Sequence, residues 1–113
     1  MRTKIDTNGE VLIVRLNDEL DHHSAAQIRE QIDNIVMQGS VRKIVFDFSN
    51  VGFMDSSGIG IIMGRFKLMQ AVGGEVTAFG FSGQLDKLIT MSGIKKIVKI
   101  YSEEKDAVKW GGK

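Results

Sequence analysis

Asp55-Ser56-Ser57-Gly58 sets a carboxylate and two hydroxyls in a row, directly before an apolar stretch with glycines at 58, 60 and 64. Three chemistries suit those residue types. The oxygens can cap a helix, since Asp and Ser side chains accept from the free N–H groups of a first turn. One serine can be a nucleophile, which needs a base within reach and a third group to hold that base. One serine can instead receive a phosphate, whose charge of about −1.5 to −2 is favoured by the dipole and free N–H groups of a helix start.

The histidines argue against the nucleophile. His22 and His23 are the only two and are adjacent. Neighbours in a helix point about 100° apart, so they cannot both serve one site. SSGIG also lacks the glycine-flanked serine of the G-x-S-x-G elbow. A small serine hydrolase is the rival from another class, and the expectation is that the protein is not an enzyme. With no cluster of Cys, His and acid around the histidine pair, no metal is expected. The glycines at 58, 60 and 64 miss the dinucleotide fingerprint and no Walker lysine follows, so no intrinsic cofactor is expected.

Capping leaves the second serine unexplained, because one side chain suffices and Asp55 or Ser56 can supply it. On a helix from about Ser57 to Val72, Ile59, Ile62, Met63, Phe66 and Met69 project to one side at about 100° per residue and read as the core stripe. Ser57 projects the opposite way, with Gly60, Ile61, Gly64 and Leu68 around it and Arg65 at the edge. Either the helix is buried on both sides, or these small and aliphatic residues form a low patch that a partner approaches closely. The second reading makes Asp55, Ser56, Ser57, Gly58, Gly60, Ile61, Gly64 and Arg65 a partner-binding surface. A phosphate on it would have to be desolvated. A loss of ~4 kcal/mol would cut binding about a thousandfold.

The elements that must position this segment follow from periodicity and breakers. Asn8-Gly9 between two apolar runs predicts a hairpin, since both positions tolerate positive φ. Ala25, Ile28, Ile32, Ile35 and Val36 recur at helical spacing, with Asp21 and Ser24 as candidate caps and Gly39 at the end. Val41 to Phe48 reads as a strand buried on both faces, and Ser49 to Met54 as a loop. EVTAFGF reads as a strand, Ser82 as the cap of a helix ending at Gly93, KKIVKIY as a strand and Glu103 to Trp110 as a last helix. The order ββαβαβαβα implies an α/β domain: a mixed, mostly parallel sheet of about five strands, an N-terminal antiparallel hairpin and about four helices.

Composition bounds the rest. The chain of 113 residues is 42% hydrophobic and 26% charged, the balance of one folded domain, here residues 1–113. Fifteen basic against fourteen acidic residues, with no basic block, leave direct nucleic-acid binding unexpected. The absence of cysteine excludes a disulfide framework. Neither a leader nor a membrane span is expected in the apolar pattern, so the cytoplasm is the expected location, with no membrane partner.

FMDSSGIGIIMGRFK resembles the phosphorylation segment of the anti-sigma factor antagonists of the STAS family. DELDHHS, Asp18 to Ser24, is similar to the GELDHHT of its sporulation branch, and Gly73 to Glu75 and Met91 to Ile94 extend the likeness. The family's fold is the one expected above. The resemblance implies binding to an anti-sigma factor that is also a serine kinase, with ATP or ADP carried by that partner. It implies phosphorylation on Ser57, the second serine of the pair, and reactivation by a serine phosphatase. It also implies that Asp21 contacts the partner, and a protein that is a monomer when free is expected. Asp18, Ile59 and Phe66 depart from the family's Gly, Leu and Tyr. A general-stress antagonist serving another kinase is the alternative, and LDHH is what favours sporulation.

Overall fold

A computed structural model describes residues 3–110, except for the side chains of Asp18 and Glu19. The chain opens with β1 (Thr3–Asn8) and β2 (Val11–Leu20), paired antiparallel from Thr3↔Leu16 to Asn8↔Val11. The turn residues are Gly9 and Glu10, one position later than Asn8-Gly9. Asn8 completes the ladder instead, and Gly9 takes the positive φ of 62° that the reversal demands.

Helices and strands then alternate: α1 (His22–Val36), β3 (Lys43–Met54), α2 (Ser56–Ala71), β4 (Glu75–Phe79), α3 (Gly83–Ser92), β5 (Lys99–Tyr101) and α4 (Glu104–Ala107). The sheet order is β1-β2-β3-β4-β5, parallel from β2 onward. This is the expected ββαβαβαβα architecture, with shorter terminal elements: a 3₁₀ turn, Ile94–Lys96, takes the start of the predicted KKIVKIY strand.

The segment Ser49 to Met54, expected as a loop, continues β3. It pairs with Asn17–Leu20 of β2, with one register shift before that stretch at Arg15/Asn17 and one within it at Asp18/Glu19. The polar Ser49 and Asn50 hid the strand from a hydrophobic-pattern reading, because pairing across a bulge satisfies backbone groups without demanding apolar side chains. This extension has a structural consequence. It carries β2 and β3 to the same height, where α1 and α2 begin.

Each crossover advances in the same direction across the sheet, so α1, α2 and α3 share one face. Beneath them lies the main core, with Leu12, Val14, Ile44, Phe46, Val76 and Ala78 from the sheet and Ile28, Ile32, Ile62, Met69 and Ile89 from the helices. On the other face, α4 and the residues after it cover Val11, Ile13, Val45 and Phe79 through Ala107, Val108 and Trp110. Polar ties fix that short helix. Arg15 takes Glu104 at 2.8 and 2.9 Å and Asp47 at 3.0 Å. The Thr77 hydroxyl donates to the Ala107 carbonyl at 2.8 Å, and the buried Lys43 pairs with Glu75 and donates to the Lys109 carbonyl.

Candidate functional site

The site is built where two parallel strands end side by side. Leu20 and Met54 are register partners, and the next residue in each chain segment is an aspartate that caps a helix. The Asp55 N–H donates to the Leu20 carbonyl at 3.3 Å, which ties the two loops together. Asp21, Asp55 and the start of α2 thus meet at the carboxyl edge of the sheet, the usual place for a binding site in such folds.

Asp21 caps α1 in a reciprocal box. Its Oδ1 accepts from the Ser24 N–H at 2.9 Å, while the Ser24 hydroxyl oxygen accepts from the Asp21 N–H at 3.2 Å. Asp21 is therefore the cap and Ser24 its partner within the first turn. The Ser24 N–H, followed by its hydroxyl, holds the Asp21 carboxyl below the ordinary carboxylate range. The Asp21 side chain is exposed beside His22 and His23, which are exposed too.

Asp55 caps α2, and its Oδ1 accepts from the Ser57 N–H at 2.7 Å. Neither serine side chain is used in this cap. Ser56 is exposed, Ser57 is half-buried, and neither hydroxyl makes a hydrogen bond within the described residues. The local chemistry is that of a free hydroxyl at a helix start. The Asp55 carboxylate is bound to the same residue's N–H, and among the described residues no cluster of three or more metal-type ligands is present.

The helical wheel needs correction. The buried arc of α2 comprises Gly58, Ile61, Ile62, Arg65 and Met69, while Ile59, Met63 and Phe66 are only half-buried. At 100° per residue this arc is turned by roughly 80° from the predicted stripe. The helix is apolar nearly all round, so periodicity alone could not choose its inner side. Ser57 accordingly lies on the flank with Gly64 and Leu68, and the outward positions are Ser56, Gly60, Lys67 and Gln70.

Three of the expected surface residues are thereby interior. Ile61 is 2% exposed and packs in the main core. Arg65 is 7% exposed, with its Nε 2.9 Å from Asp33 Oδ1 of α1. The two atoms are close but poorly aligned, so neither completes a hydrogen bond. Burial pushes the Arg65 guanidinium below its usual value, partly offset by Asp33. Gly58 is buried as well, against Met54 and Leu20. Gly60 and Gly64 remain at the surface, where a side chain at either position would meet nothing.

Sequence reasoning missed Phe53. This residue is 53% exposed two positions before the cap, on the wall of a groove of about 200 Å³ formed with Gly52, Met54, Gln84, Leu85 and Leu88. Its signal was a large apolar residue in a segment read as loop. A larger cleft of about 380 Å³, by Gly80, Phe81, Asp86, Lys95, Ile100 and Tyr101, includes none of the candidate residues. No helix among the described residues is long and apolar enough to cross a membrane.

The STAS domain model matches residues 2–107. The chain is 39% identical to the anti-sigma F factor antagonist of Paenibacillus polymyxa over 108 residues, 96% of this chain and 92% of that one. It is 29% identical to the anti-sigma-B factor antagonist of Bacillus subtilis, over 92% of this chain and 94% of that one. Among solved structures, the anti-sigma factor antagonist SpoIIAA in its unphosphorylated form superposes with a TM-score of 0.83 at 33% identity, covering 93% of this chain and 92% of the other. The phosphorylated form of the Bacillus cell fate determinant SpoIIAA superposes with a TM-score of 0.76, covering 93% and 96%. With the STAS model matched over residues 2–107 and 39% identity to an anti-sigma F factor antagonist over 96% of its length, the chain belongs to the STAS family, among the anti-sigma factor antagonists.

Proposed function

We propose that the protein is a phosphorylation-controlled switch. Unphosphorylated, it captures an ADP-bound anti-sigma factor with serine kinase activity and so frees a sigma factor. Phosphorylation on Ser57 by that kinase, using ATP, releases the complex, and a serine phosphatase restores the active form. The chain itself carries out no catalysis and works in the cytoplasm.

The observation that carries this reading is the state of the Ser57 hydroxyl. It is half-buried, unbonded and one and two turns from the open surface at Gly60 and Gly64, while Asp55 already supplies the cap. A phosphate there meets the free N–H groups of the helix start, so the fold tolerates it. The same charge facing an apolar partner surface is costly to desolvate, so the complex does not. That a relative's structure is described in both phosphorylated and unphosphorylated forms supports the same cycle. The contact surface comprises Asp21, Asp55, Ser56, Ser57, Gly60 and Gly64; Ile61, Arg65 and Gly58 support it from below. The greater identity to a sigma F than to a sigma-B antagonist favours the sporulation pathway over general stress.

Incubation with the cognate anti-sigma kinase and ATP, followed by phosphosite mapping, tests the assignment. Phosphate on Ser57 alone is expected. Phosphate on Ser56, or none while the kinase complex forms, overturns it.

A further inference from the structure

Gly58 stands third in the first turn of α2, one residue after Ser57. A Cβ at Gly58 would lie 2.4 Å from the thioether sulfur of Met54, 3.2 Å from Met54 Cγ and 3.1 Å from Leu20 Cδ2. Those are not surface contacts. Leu20 and Met54 are 0% and 3% exposed, and they are the register partners that end β2 and β3. The first turn of the helix therefore rests directly on a shelf made of the two strand ends, and the missing side chain allows it to settle there.

We infer that Gly58 is a positioning residue for the phosphoacceptor: its direct seat on Met54 and Leu20 sets the height and direction of Ser57. The inference rests on the reading of Ser57 as acceptor. Three links connect the shelf to the hydroxyl. Asp55 is held to the shelf by its N–H bond to Leu20; Asp55 holds the Ser57 N–H at 2.7 Å; Gly58 sits on the Met54 sulfur. Ser57 lies between the last two and moves with them. Ser56, exposed at the first position of the helix, is a partner in none of the three links.

Glycines 60 and 64 contrast with this one. A Cβ at either finds open space, so neither is required by packing of this chain on itself. Gly58 alone of the three carries a steric requirement within the fold. A methyl group placed there must either lift the turn or drive Met54 aside, and Met54 borders the groove beside Phe53 into which it could be pushed.

The test is a set of three variants: Gly58→Ala, Met54→Ala and the double variant. With purified cognate kinase, Gly58→Ala is expected to lower kcat/KM for Ser57 phosphorylation by about tenfold to a hundredfold, the order that follows an ångström of misplacement. Met54→Ala takes away the sulfur on which Gly58 rests and should itself lower kcat/KM, by less than Gly58→Ala does, and the double variant should recover part of the Gly58→Ala loss, because the shortened side chain leaves room for the new methyl. Folding is followed separately by thermal melting, and a Gly58→Ala protein that does not fold leaves the comparison of the double variant with Met54→Ala to decide. Unchanged phosphorylation in Gly58→Ala, or a loss that the double variant does not relieve, overturns the inference. Amide chemical shifts of Ser56 and Ser57 give a kinase-independent readout: the Ser57 shift should move in Gly58→Ala and return part of the way in the double variant, while Ser56 changes less. If wild type takes no phosphate on Ser57 yet these shifts behave as stated, the acceptor reading fails and the seat stands.

Discussion

Arg65 of α2 lies 2.9 Å from Asp33 of α1, so a side chain at the edge of the expected docking patch is in fact a tie between two helices. The surrounding contacts are apolar and non-directional, through residues such as Ile28, Ile32, Ile61 and Ile62. Removing Asp33 should leave the buried guanidinium without its counter-charge, whereas Arg65→Met replaces it with an apolar chain of similar length. Asp33→Ala is therefore expected to cost about 2 kcal/mol and Arg65→Met less, Asp33 being a third exposed and partly screened. Urea denaturation of both variants measures this; a greater loss for Arg65→Met would show that its packing outweighs its charge.

Asp55→Ala removes the side-chain acceptor of the Ser57 N–H and should cost about 1 kcal/mol. Ser56→Ala and Ser57→Ala remove hydroxyls without bonds and should stay within about 0.5 kcal/mol of wild type. Thermal melts of the three variants separate a structural role of Asp55 from a recognition role of Ser57. A loss in Ser57→Ala matching that of Asp55→Ala would contradict the assignment of the cap.

Ser57→Ala should still bind the anti-sigma kinase and take no phosphate, whereas Ser57→Glu should lose binding. Calorimetric titration with the ADP-loaded kinase reads both. A formal charge smaller than that of phosphate should give a partial loss, above tenfold but below the thousandfold equivalent of about 4 kcal/mol.

Acid should loosen the α4 face. The Arg15 guanidinium holds the Glu104 carboxyl below its ordinary value of 4.5, with burial opposing it. The folded pKa is thus the lower one, so the contribution to stability is complete above pH 4.5 and is lost as pH falls through the folded value. Glu104 is 42% exposed, so the effect is modest. Glu104→Gln should lower stability at neutral pH and flatten the acid limb of a stability–pH curve; an unchanged limb would place the acid sensitivity in other carboxylates.

Much of the protein was legible along the chain because its signals are local. Helical spacing in Ala25 to Val36, the β-branched run after Val41 and the glycines at 9, 73 and 93 sufficed for the element order, and the caps were narrowed to Asp21 or Ser24 and to Asp55 or Ser56, between which the structure chose the two aspartates. The DSSG and LDHH segments pointed to the family from their residues alone. Other features depended on what each element meets in space. A nearly all-apolar α2 has no preferred inner side until the sheet and α1 cover one, so the burial of Ile61 and Arg65 was hidden. The β3 extension through Met54 exists because β2 offers a partner strand, and polar Ser49 and Asn50 do not announce it. Gly58 looked like its neighbours at 60 and 64; only the packing of Met54 and Leu20 beneath it distinguishes a seat within the fold from an open surface. Sequence patterns specify local conformation and composition, whereas burial and register are properties of pairs of elements, which only the assembled sheet and helices decide.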